Sequence, residues 1–130
     1  MRNIRVVDAN VILRFLLADE PAHFDQARAF MAQVKTGEAG AYIPEGVLVE
    51  CVYVLLKVYQ VPRSELAEKL VGLLGYKGVV DENKKLLQES LRLFAGKNVD
   101  IVDAIVHVTA TLRGWQPFSF DADLGKLSKR

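Results

Sequence analysis

Four short apolar runs, Ile4–Val7, Ala41–Ile43, Gly78–Val80 and Phe118–Phe120, are spaced along the chain by stretches long enough for one or more helices. This alternation constrains the fold more than any other feature, because strands separated by helix-length segments build βαβ units and a parallel sheet. The intervening stretches carry helical periodicity. Residues 21–35 repeat apolar positions at Ala27, Phe30, Met31 and Val34, with Pro21 suited to a first turn. Gly46–Tyr59 is strongly apolar, with only Glu50 and Lys57 charged, and Ser64–Leu74 carries leucines at 66, 70, 73 and 74 before Gly75. Glu82–Phe94 places Leu86, Leu87, Leu91 and Phe94 on one side, and a last helix is expected over Ile101–Arg113, ending at Gly114. The expected fold is α/β: one domain over residues 1–130, a helical hairpin at about 46–74, and a short, mostly parallel sheet of about four to five strands flanked by helices on both sides.

The segment RVVDANVILRFLL sets Asp8 into apolar surroundings. Ile4–Val7 reads as a strand buried on both faces, followed by a turn-like DANV. An ionised carboxylate in such a place needs a partner, because an unpaired buried charge is too costly to keep. Glu50 sits in an apolar helix, Asp103 in the first turn of another, and Asp121 follows the strand FSF. In a parallel sheet Asp8 and Asp121 emerge at the C-terminal ends of their strands, where ligand crevices of open α/β sheets form. If the helices of Glu50 and Asp103 begin at the same edge, four carboxylates converge. Like charges at close range resist ionisation, and a divalent cation resolves the conflict. Hard ions such as Mg²⁺ or Mn²⁺ choose carboxylate and water oxygens and serve phosphodiester hydrolysis. No glycine-rich phosphate loop and no nucleophile elbow competes with that chemistry.

Composition excludes several other classes. At 130 residues and 51% hydrophobic content the chain can bury a core without disulfides, and its single cysteine, Cys51, reads as a small core hydrophobe in a reducing compartment. Net charge of +1 gives no whole-domain basic field for nucleic acid. The apolar part of the N-terminus is too short and too interrupted to span a membrane, so a soluble cytoplasmic protein is expected.

The segments VVDANVILRFLL, PEGVLVECVYVLLKVY, NVDIVDAI and FSFDADLGKL, in this order and spacing, resemble the successive motifs of PIN-domain ribonucleases over essentially the whole chain, closest to the VapC-type toxins of toxin–antitoxin systems. The resemblance implies a PIN-like fold and a Mg²⁺- or Mn²⁺-dependent endoribonuclease with Asp8, Glu50, Asp103 and Asp121 as its acidic residues. Asn10 matches the family's asparagine, and Ser119 stands where a threonine or serine orients the last carboxylate or a water. Asp100, one turn before Asp103, and Asp123, beside Asp121, compete as ligands, with Asp103-Ala104 the closer match. Pro117 departs from the usual aliphatic residue and puts the length of the last strand in question. A cognate antitoxin, an RNA substrate and a homodimer are the implied partners.

Each of these residues also has a plainer reading. Asp100 suits a helix N-terminus and Asp123 a turn. Arg14 either touches phosphate or the acidic cluster or snorkels to solvent, and Lys126 lies in a basic tail, GKLSKR, that is either solvated or a phosphate contact. His107 is either a structural histidine or a proton donor to the site; His23 reads as surface, and Trp115, Tyr53 and Tyr59 as core or interface. Two other functions compete: a receiver-like phospho-acceptor module, which uses an adjacent acidic pair where this chain has Asp8-Ala9-Asn10, and a PIN domain in housekeeping RNA processing. A PIN-like domain that binds without cutting is disfavoured, because all four acidic positions are present.

Overall fold

The computed structural model describes residues 3–18 and 21–120, the side chains of residues 22 and 23 excepted. Along them the order is β1 (Ile4–Val6), α1 (Ala9–Leu17), α2 (Pro21–Thr36), β2 (Gly40–Tyr42), α3 (Glu45–Tyr53) continued by a π-helical turn (Val54–Val58), α4 (Arg63–Leu74), α5 (Lys84–Lys97) and α6 (Ile101–Arg113). β1 and β2 are parallel, with Ile4 opposite Gly40 and Val6 opposite Tyr42. The ladder extends past both strand ends, because Gly40 N–H donates to the Asn3 carbonyl and Val7 N–H to that of Tyr42, each at 3.0 Å. On its other side β2 meets Val79 through one parallel bridge, in which Ala41 N–H donates to Gly78 (2.8 Å) and Val80 N–H to Ala41 (3.0 Å). Among the described residues the sheet is therefore two strands and a bridge, shorter than the four to five strands expected.

Three expectations are corrected. β1 is not buried on both faces: Ile4 is 54% and Val6 70% exposed, because among the described residues only β2 pairs with the strand, at one edge, and the apolar chain goes inside only at Val7. The turn-like DANV opens a helix that the sequence reading did not foresee. Asp8 Oδ1 accepts from Val11 N–H at 3.1 Å, which caps α1, and Ala9, Ile12 and Leu13 fill the buried side of that helix. Phe118–Phe120 forms no strand; its rings are 87% and 96% exposed and meet each other edge to face at 5.5 Å. Gly114, left-handed at φ 70, ends α6, and Pro117 has no N–H to give to a ladder.

The helices carry the core. α1 packs on α2 and α3, α3 on α6, and α5 lies against both α4 and α6. Ile12, Met31, Ile43, Leu48, Leu70 and Phe94 are fully buried where these elements meet, each side chain contributing roughly 1.5–3 kcal/mol of transfer free energy. Past Tyr53 the backbone widens: Tyr59 N–H donates to the Val54 carbonyl at 3.2 Å, an i to i+5 bond. Such widened turns inside helices occur frequently at functional sites. No helix among the described residues is long and apolar enough to cross a membrane.

Gly78 is where three backbones crowd together. Its N–H donates to the Val34 carbonyl at 2.7 Å, and a Cβ there would run into the carbonyl oxygens of Ala39 and Val34. Backbone cannot step aside as a flexible side chain does. Gly78→Ala is expected to destabilise at the upper end of the ~1–3 kcal/mol typical of overpacking, read as a lowered urea midpoint with unchanged slope. A midpoint within error of native would contradict this packing.

Candidate functional site

Asp8 leaves the end of β1 and starts α1, and it is exposed because the sheet edge stops there. With Asn10 in the first turn of α1, it lines a cavity of about 920 Å³ whose wall includes Arg5, Arg14, Gln26 and Phe30. The Arg5 guanidinium lies 5.0 Å from the centroid of the Phe30 ring, so the described lining joins two guanidinium groups and an aromatic ring to the carboxylate of Asp8.

Glu50 comes from α3, whose middle lies against the start of α1: the Cys51 thiol points at the Ala9 carbonyl, 4.0 Å away. Burial, then the carboxylates of Glu50 and Asp8, push that thiol up to about 12. Cys51 is thus an unreactive core group. Lys57, on the π-helical turn, lies 5.7 Å over the Tyr53 ring.

Asp103 is half-buried in the first turn of α6. Asp100, three residues earlier, is the N-cap of the same helix: its Oδ1 accepts from Val102 N–H at 2.8 Å. The Tyr53 phenol reaches across from α3 and donates to the same carboxylate, 2.9 Å from Oδ1 and 3.1 Å from Oδ2. Burial, this hydrogen bond and the negative charges of Asp100 and Asp103 all raise the pKa of the Tyr53 hydroxyl. Both oxygens of Asp100 are thus engaged, one with the helix end and both with the phenol.

The elements that carry the expected constellation meet, and on them Asp8 and Glu50 are exposed. Asp8, Glu50 and Asp103 stand on α1, α3 and α6, and α3 packs against both of the others. They are hard oxygen donors of the kind Mg²⁺ or Mn²⁺ takes. Among the described residues, however, no three His, Cys, Asp or Glu side chains are grouped closely enough to hold a metal ion. Asp8 is turned back into its own cap. Asp121, Asp123 and Lys126 lie outside the described residues, as does the side chain of His23. Ser119 is exposed beyond α6 and Arg14 half-buried on the cavity wall, while His107 is half-buried one turn past Asp103. Trp115 is not core: it is 63% exposed, with the Arg113 guanidinium 5.3 Å from its ring centroid.

Two polar groups escaped the sequence reading. Asp81, buried at the far side of β2, accepts from Ile43 N–H at 2.9 Å, and burial raises its pKa above the usual carboxylate value. It ties down the C-terminal end of β2, which the parallel register sets beside Val7 and Asp8. The other is the Tyr53 phenol, whose only sequence signal is its position three residues after Glu50, on the same side of α3.

Residues 5–130 match the profile of the PIN domain. No curated protein and no solved structure matches the chain at a significant level. PIN domains are generally nucleases that use divalent metals, and this agrees with acidic residues placed in order at the end of β1, in α3 and in α6. The match spans nearly the whole sequence, and the chain belongs to the PIN-domain family.

Proposed function

We propose that this chain is a divalent-metal-dependent endoribonuclease of the VapC type, the toxin of a type II toxin–antitoxin pair, acting in the cytoplasm as a homodimer and held inactive by a cognate antitoxin. The observation that carries the nuclease reading is the placement of Asp8, Glu50 and Asp103 on three elements joined through α3, in a chain that matches the PIN domain over residues 5–130. Asp8, Asp103 and Asp121 are the ligands in this reading, and Glu50 completes the catalytic acidic set. When bound, a Mg²⁺ or Mn²⁺ ion supplies Lewis acidity toward a phosphate oxygen and makes a water more acidic. Hydrolysis of the phosphodiester would join a water oxygen to phosphorus as the P–O bond to the ribose oxygen breaks, the proton lost by the water ending on the departing oxygen.

The chain's own residues do the rest. Asn10 and Arg14 face the same cavity as Asp8, where an amide and a guanidinium suit the phosphate oxygens of a bound single strand. The expected outcome for chelator-stripped protein is no cleavage of a synthetic single-stranded RNA, with cleavage returning when Mg²⁺ or Mn²⁺ is added back. Equal cleavage with and without the cation contradicts the reading. Growth arrest on induced expression separates a toxin from a housekeeping RNA-processing enzyme.

A further inference from the structure

The entry to α6 is held from two sides. From the start of α4, Arg63 donates through Nη1 to the carbonyls of Val99 (2.7 Å) and Phe94 (3.1 Å), with its guanidinium 4.3 Å over the Phe94 ring. This fixes the backbone up to residue 99. The next residue is Asp100, whose side chain caps the helix at Val102 N–H and whose backbone carbonyl accepts from Ala104 N–H at 2.9 Å. The second hold is the Tyr53 phenol on both oxygens of that carboxylate. A hydrogen bond to an ionised acceptor is about twice as strong as a neutral one, and here it joins two elements that each carry an acid of the proposed site. Tyr53 lies one helical turn after Glu50 and immediately before the π-helical turn, with Lys57 over its ring.

We propose that Tyr53 is a positioning residue: by donating its phenolic proton to Asp100 it fixes the first turn of α6 against α3, and so sets Asp103 relative to Glu50. The assignment rests on the nuclease reading given above. Tyr53 touches neither RNA nor metal in this role; it acts through Asp100. A ring that merely filled space would do the same work without its hydroxyl, which gives the proposal its test.

Tyr53→Phe in the full chain keeps the ring and removes the donor. Three results are expected: amide exchange at Ala104 N–H speeds up about 10-fold; turnover on single-stranded RNA with Mn²⁺ falls roughly 10- to 100-fold, the range typical when the support around a metal site is loosened, with KM unchanged; and the unfolding midpoint moves little. In an Asp100→Ala background, removing the hydroxyl changes turnover no further. Native exchange and native turnover in Tyr53→Phe overturn the assignment, and so do losses that simply multiply in the double variant. A native chain that cleaves no RNA under any divalent cation overturns the nuclease reading and this assignment with it; a native chain that cleaves while Tyr53→Phe cleaves equally overturns the assignment alone.

Discussion

Asp8→Asn is expected to fold like the native chain and to lose RNA cleavage by about three orders of magnitude, ~4 kcal/mol of transition-state stabilisation. The fold survives because asparagine caps helices as well as aspartate does, so the bond from Val11 N–H to the residue 8 side chain persists. What disappears is the negative charge on the lining of the cavity that Asp8 shares with Asn10 and Arg14. Asp8→Ala separates the two roles of this residue, since it removes the cap as well and is expected to lower stability by ~1 kcal/mol. Circular dichroism melting and a gel assay on one RNA oligomer read both effects. Comparable cleavage by Asp8→Asn and the native chain would leave Asp8 as a helix cap and nothing more.

The contrast between Asp103→Asn and Asp100→Asn carries the second large effect. Asp103 is half-buried in the first turn of α6, and its charge reaches the Tyr53 hydroxyl. Asp100 is exposed and engaged with Val102 N–H and the same hydroxyl. An asparagine at 100 keeps an oxygen for both donors, so its turnover is expected to fall less than about 10-fold. The same change at 103 takes a ligand charge from the proposed site and is expected to reduce turnover by on the order of 10²- to 10³-fold. If the ranking reverses, Asp100 is the metal ligand, and the phenol contact holds a ligand directly.

Particular elements show what was legible in the sequence. α6 was foreseen at its observed bounds, because Ile101, Ala104, Ile105 and Val108 repeat at helical spacing and Gly114 supplies the left-handed stop. α1 was overlooked for a local reason: Val11 and Ile12 extend the β-branched character of Val6 and Val7, which hid Asp8 as the cap for the Val11 N–H three residues later. The exposure of β1 was not legible, since it depends on which strands arrive at its two edges, and a strand's own residues do not encode that. The acidic set was legible as chemistry out of place, carboxylates in apolar surroundings, but its geometry was not. Tyr53 and Asp100 are 47 residues apart, and nothing short of the packing of α3 on α6 reveals that a phenol assigned to core or interface meets a carboxylate assigned to a helix end. The π-helical turn is equally silent, for VLLKV reads as ordinary helix.

The central claim is that carboxylates from α1 and α6 serve one divalent-cation site. Titrating Mn²⁺ into the full chain, with free ion followed by electron paramagnetic resonance, tests it without RNA. The account predicts that the native chain binds the cation, and that Asp8→Asn and Asp103→Asn each weaken binding by at least about 10-fold while their melting curves stay native. Native binding retained in both variants would contradict it.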